Sequence, residues 1–333
     1  MATIRNPRHG SMQYWPRKRA KRTCPRVRSY AKVDRPLPLG FSGYKVGMTH
    51  ITITDNRAES VTSGEVISIP VSIIECPPLR VVSVRFYKES EGGSNAACEV
   101  MVPDAQLKRR LCLPKKKTDH AKRLEELGAN TAEYSDIRFM VCSQPKLTGI
   151  GKKKPELFEI AIGGDDIKAK LEYAKSILGK DINISEVFSE GQLVDVSGIT
   201  KGKGFQGPVK RFGIGIRQHK SEKTKRGPGN VGPWSGNRSW TVAHAGQMGF
   251  HNRLERNRWI IRIGNKPEEI NVRGGFKHYG LVKNPYMLVK GSVQGPAKRL
   301  LRLNLAARPN RKRKVPEEAP TIGYVSLSSK QGR

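Results

Sequence analysis

The chain has 333 residues and carries 62 Lys+Arg against 29 Asp+Glu, a net charge of +33. That length is ample for burying a core, and that charge calls for a polyanionic partner, far beyond what an acidic small molecule or solubility would require. With 34 Gly and 21 Pro, much of the chain must lie outside regular elements, which excludes a helical bundle.

Residues 1–35 hold 11 basic side chains and one acid and read as a basic N-terminal arm. Residues 36–90 read as the first part of a β-barrel. Met48 to Thr54 alternates and closes at Asp55-Asn56, Ile67, Ile69, Val71 and Ile73 alternate with polar or small residues, and Leu79 to Tyr87 is a third strand. Residues 91–185 change character and predict an α/β insertion. Thr118 to Leu127 is helical and stops at Gly128, Asp165 to Leu178 puts Ile167, Leu171, Ala174 and Leu178 on one face, and Ile137 to Ser143 and Phe158 to Ile162 read as strands between them. Barrel strands return at Leu193 to Ile199, within 186–200, and in 258–305 at Trp259 to Ile263, Tyr286 to Val289 and Leu300 to Leu303. Residues 306–333 form a basic tail in which TIGYVSLSS can add a strand. The expected class is mainly β: an antiparallel barrel, which closes its own edges, interrupted by the insertion.

Charge is segregated along this frame. Residues 36–199 carry 22 groups of each sign, whereas 200–262 carry 14 basic and two acidic groups, and 298–314 add eight basic groups and no acid. Basic blocks around a neutral body predict extensions that enter a polyanion rather than a uniformly solvated basic face. Residues 201–257 read as a basic, Gly-rich finger. Ten glycines between Gly198 and Gly236 let backbone approach phosphates, and the interleaved lysines and arginines supply counter-charge. GKGFQG at Gly202 to Gly207 is neither a P-loop nor a dinucleotide motif, since no GK[ST] closes it and Pro208 with the following glycines argues against a helix after it.

The remaining signals are negative or local. Five irregularly spaced cysteines (Cys24, Cys76, Cys98, Cys112 and Cys142) have no CxxC pair, which argues against a disulfide framework or zinc ribbon and for a reducing, cytosolic compartment. No run of about 18 apolar residues and no apolar leader is present, so neither membrane insertion nor secretion is expected. His244 and His251 lack partners for a metal site, no nucleophile-base frame is recognisable, and Glu255, flanked by Arg253 and Arg256, reads as orienting an arginine. All four tryptophans (Trp15, Trp234, Trp240 and Trp259) sit in the basic blocks; Trp259 begins an apolar strand and is expected to pack, while Trp234, between Gly232-Pro233 and Ser235-Gly236, has no local element to bury it.

GYKVGMTH at 43–50, GQLVDVSGITKGKGFQGPVKRFG at 191–213, GPW at 232–234 and AGQMGFHNRLERN at 245–257, in this order, resemble the family of ribosomal large-subunit protein L three. The opening RNPRHGSMQYWPRKRAKR is archaeal in style. The resemblance implies a translation-protein-type β-barrel with an α/β insertion, an N-terminal arm, and a finger reaching through rRNA toward the peptidyl-transferase centre. It further implies binding near the 3′ end of large-subunit rRNA of the 23S type, nucleation of subunit assembly, neighbours of the L fourteen and L twenty-four-e families, and a finger-tip tryptophan matching Trp234. Lys225 stands where eukaryotic relatives carry a modified histidine, which argues against that modification.

The expected rRNA-binding residues are Arg17, Lys18, Arg19, Lys21 and Arg22 in the arm; Lys201, Lys203, Lys210, Arg211, Arg217, Lys220, Lys225, Arg226, Trp234, Arg238, Trp240, His251, Arg253 and Arg256 in the finger; Arg258 just beyond it; and Arg311, Lys312, Arg313 and Lys314 in the tail. No catalytic residue, protein-held metal or cofactor is expected; structural Mg2+ would be held by the RNA. A non-ribosomal nucleic-acid-binding barrel, such as a chromatin protein or RNA chaperone, would want stacking aromatics on its strands, and these strands are aromatic-poor. An RNA-acting enzyme would want an acid/base or metal constellation.

Overall fold

The computed structural model describes residues 16–113, 119–221, 224–231, 242–310, 315–316 and 318–329. Contacts divide the chain into two units: residues 24–198 with 254–333 form a body, and residues 1–23 with 199–253 form the second unit. In chain order the body begins with β1 (Gly40–Thr54), β2 (Val66–Glu75), β3 (Leu79–Ser90), β4 (Gly93–Met101), α1 (His120–Ala129) and β5 (Asp136–Cys142). It continues with β6 (Leu157–Ala161), α2 (Ile167–Ile177), β7 (Asp181–Ile182) and β8 (Leu193–Ile199). The finger region supplies β9 (Gly202–Gln206), α3 (Pro208–Phe212) and β10 (Gly246–Gly249), after which the chain returns through β11 (Asn252–Gly264), β12 (Tyr286–Lys290), β13 (Leu300–Leu305) and β14 (Ile322–Val325).

The larger sheet runs β13-β8-β11-β12-β2-β1-β14, and a further β1–β13 pairing closes six of its strands into a ring. Alternation marks the ring strands that keep one open face, such as the second half of β1, whereas β8, β12 and β13 are buried almost throughout. In β1, Ile51 and Ile53 point inward while Met48, His50, Thr52 and Thr54 point outward, because successive side chains leave a strand on opposite faces. Its partner β2 matches residue for residue, Ile51 opposite Ile69 and Ile53 opposite Ile67, so two half-apolar strands make one apolar face. Tail residues 322–325 pair with β1, as TIGYVSLSS suggested.

Two expectations are corrected here. The third strand, β3, belongs not to the ring but to a five-stranded sheet of order β4-β3-β5-β6 with β7 on β3. Its Leu79–Tyr87 run is buried almost throughout, a pattern that marks a strand without naming its partner. Similarly, the arm's independent stretch ends at Thr23 rather than at residue 35. Residues 24–35 are strapped to the body by Gly164 N–H donating to Val33 O (2.6 Å) and the Tyr30 hydroxyl to Glu159 O (3.0 Å). Basic composition marks a cationic surface, not the point where the backbone leaves the fold.

The second sheet's outward charges are paired: Arg85 with Glu99 (2.7 Å) and Glu159, Arg138 with Asp136 (2.8 Å), and Arg80 with Asp181 (2.8 Å) and Asp104 (3.1 Å). A cation also lies inside. Arg302 on β13 is 2 % exposed, donates to Glu159 O at 2.6 Å and sits 4.1 Å from the Phe158 ring centre, where carbonyl and aromatic face offset desolvation. Trp259 is buried as expected, with Lys290 Nζ 5.4 Å from its ring centre. All five cysteines are free thiols.

Candidate nucleic-acid interface

The finger's two ends are zipped. β9 and β10 pair antiparallel with Gln206 opposite Gly246 and Phe205 opposite Gln247. The pairing needs glycine at Gly249, which has φ +71 and where a Cβ would lie 2.0 Å from Lys201 O. Pro208 then opens the short helix α3, contrary to the expectation that no helix follows GKGFQG. Proline at the first helical position lacks only an N–H that has no intrahelical partner there, and Gly213, at φ 68, terminates the turn.

Phe212, at the end of α3, is buried, and the Arg17 guanidinium lies 4.2 Å from its ring centre. Arg17 also donates to Arg211 O (2.9 Å), while Arg211 donates to Gln247 O (3.1 Å) and His244 O (3.0 Å). Arg253 reaches Pro16 O (3.0 Å), and Ala20 N–H donates to Phe250 O (2.8 Å). Arm residues 16–20 are thus tied to the finger's base by cations on backbone carbonyls. Burial lowers the pKa of all three arginines; the charge of Arg211 adds to this at Arg17, and that of Arg17 at Arg253.

His251 is not a phosphate-facing group. It is buried; Gly249 N–H donates to its Nε2 (3.0 Å), and its Nδ1 meets Lys18 O (2.9 Å). Both ring nitrogens are occupied within the unit, so the side chain clamps the arm instead. Glu255 orients Arg258, at 2.7 Å, rather than either flanking arginine.

The other expected cations stand outward. Lys18, Arg19, Lys21, Arg22, Lys201, Lys203, Lys210, Arg217, Lys220, Lys225, Arg226 and Arg256 are exposed. Arg217, Thr224 and residues 225–229 enclose an open basic cleft of about 650 Å³. Trp15, Trp234, Arg238, Trp240 and Arg311 to Lys314 lie outside the described residues. One aromatic escaped the sequence reading: Phe205 is 76 % exposed, on the strand that carries Lys203. An unburied ring on a strand that follows Lys201 and carries Lys203 offers a face on which a base can stack, a feature that GKGFQG, weighed as a phosphate cradle, had obscured.

The arm-finger unit contains 18 Lys+Arg and a single acid, Glu222, in 78 residues. A braced, nearly acid-free surface of this kind matches a polyanion. The family model described as ribosomal protein L3 matches residues 1–332.

The chain belongs to the ribosomal protein L3 family.

It is similar to the archaeal proteins named large ribosomal subunit protein uL3 from Methanothermobacter thermautotrophicus (46% identity, all of both chains) and Archaeoglobus fulgidus (48%, 98% of both). A third, from Methanocaldococcus jannaschii, is 46% identical over 99% of both chains. The L3 family match runs through arm, finger and body alike, so both units are family features. Among the described residues no helix is long and apolar enough to cross a membrane.

Proposed function

We propose that this chain is a structural, non-enzymatic component of the large ribosomal subunit in the cytoplasm, holding large-subunit rRNA through its arm, finger and basic tail. The observation that carries this reading is the arm-finger unit's bracing by arginine-to-carbonyl hydrogen bonds, which fix its shape without neutralising its charge. Carboxylate partners would have given similar rigidity but cancelled the attraction for phosphate. Family membership supports the finer parts: binding near the 3′ end of the rRNA, a role in nucleating assembly, neighbours of the L fourteen and L twenty-four-e families, and a finger directed toward the peptidyl-transferase centre with Trp234 at its tip.

Sedimentation of cell extract at high salt tests the location: the protein should co-migrate with the large subunit, and release into the top fractions would overturn the assignment. The tip is tested with subunits carrying Trp234→Ala at equal occupancy. They should assemble normally but show altered peptide-bond formation or aminoacyl-tRNA affinity, and wild-type behaviour in both assays would reduce the tip to a spacer.

A further inference from the structure

Glu75, the last residue of β2, is fully buried, and the hydrogen bonds its carboxylate accepts come from one short segment. The Tyr279 hydroxyl, Lys283 N–H (2.9 Å), Asn284 N–H (3.0 Å) and Asn284 Nδ2 (2.7 Å) all donate to it. A buried carboxylate is costly unless it is hydrogen-bonded, and here the burial shapes a loop. The loop spans 270–284. Asn271 brackets Val282 through Nδ2 to Val282 O (3.0 Å) and Val282 N–H to Oδ1 (2.9 Å), and Phe276 and Gly280 exchange both backbone hydrogen bonds (2.9 and 3.0 Å).

Val272, Phe276, Tyr279 and Val282 point into the body, leaving Arg273, Lys277, His278 and Lys283 exposed. Between Glu269 and Glu317 the sequence contains no acid. His278 has φ 64, a left-handed conformation that glycine adopts at lower cost, so what this residue adds at an exposed position is its imidazole. A loop fixed in advance loses little freedom on binding, and exposed cations beside a ring suit phosphates flanking an unstacked base.

We propose that loop 270–284 is a further rRNA site, on the body, in which Arg273, Lys277 and Lys283 meet backbone phosphates and His278 faces a base. The proposal rests on the reading of the chain as an rRNA-binding protein and adds a surface outside the arm, finger and tail. Glu75 is its positioning residue.

The test measures binding of the full-length chain to large-subunit rRNA across a salt series, with hydroxyl-radical footprinting, for wild type, Arg273→Ala/Lys277→Ala/Lys283→Ala, and Lys201→Ala/Lys203→Ala/Lys210→Ala. The loop variant should shallow the log-log salt slope by about 2 to 3 and lose a footprint distinct from the one the finger variant loses. His278→Gly should leave the melting temperature equal or raised while weakening rRNA binding several-fold, the mark of a side chain not kept for the fold. If the loop variant matches wild type in slope and footprint while the finger variant falls, the loop proposal is overturned and the rRNA reading stands. A loop variant that binds rRNA normally but fails to enter subunits assigns the loop to a protein neighbour, and also overturns it. Salt-independent binding by wild type would remove the rRNA reading itself.

Discussion

The body and the arm-finger unit solve opposite problems with the same amino acids. In the body, a continuous core around Phe41, Ile73, Phe139 and Leu288 supplies the stabilisation, and surface arginines such as Arg80 and Arg85 meet carboxylates. In the arm-finger unit, Phe212 is a rare buried anchor, and Arg17, Arg211 and Arg253 meet backbone carbonyls. The difference teaches that an arginine can hold a shape either by cancelling charge or by keeping it. Only the second way leaves a surface ready for phosphate.

The comparison is broken most severely through the body's core. Trp259→Ala should cost about 3 to 5 kcal/mol, seen as an early cooperative melt of the whole body; a small loss would mean that the strand entering from the finger contributes little to the core. Next in size is Arg211→Ala, which removes the bonds to Gln247 O and His244 O. Hydrogen bonds from charged groups are worth about 1.5 to 3 kcal/mol each, so amides in β10 should exchange faster while those of β5 do not change. Arg211→Lys should not rescue, because a single ammonium does not span two carbonyls as the fork does. A shift of the body's melting in either Arg211 variant would show that the two units are not separate in energy. Smaller again, Phe205→Ala should leave both units folded yet weaken rRNA binding by about 1 to 3 kcal/mol; unchanged affinity would remove the stacking role.

Legibility followed the same division. Ring strands such as β1 and β2 could be read where one face is buried, which writes a period of two into the sequence, while β12 was legible as a short continuous apolar run. β4, GSNAACEVM, left no such trace, since eight of its nine residues are exposed or half-buried. The partner of β3 was illegible because alternation reports burial and not topology. In the finger, outward cations were legible as charge, but Arg17, Arg211 and His251 look no different in sequence from Lys203 or Lys210; what separates them is a carbonyl within reach, which only folding supplies. Loop 270–284 was missed for a similar reason, its organising carboxylate lying about 200 residues away in sequence.

The smallest effect tests whether the polar bracing of the arm responds to protons. Gly249 N–H points at Nε2 of His251, so the ring is held as the neutral tautomer that donates from Nδ1 to Lys18 O. Burial lowers its pKa below the ordinary 6.5, the Lys18 carbonyl opposes this, and the charges of Arg253, Arg17 and Arg211 lower it further. Protonation would place an N–H on Nε2 against the Gly249 N–H and remove that acceptor. Because the folded value lies below the unfolded one, the unfolded chain binds more protons between them; the contribution is complete above the unfolded pKa and is lost as pH falls through the folded pKa. Gly249 and Thr200 amides, the latter bonded to His251 O, should therefore lose protection on acidification beyond the intrinsic pH trend, while body amides in β5 do not. His251→Gln should flatten the response, since its amide does not titrate. Equal Gly249 protection on both sides of the transition would mean that the ring does not clamp the arm, leaving the arginines to hold it alone.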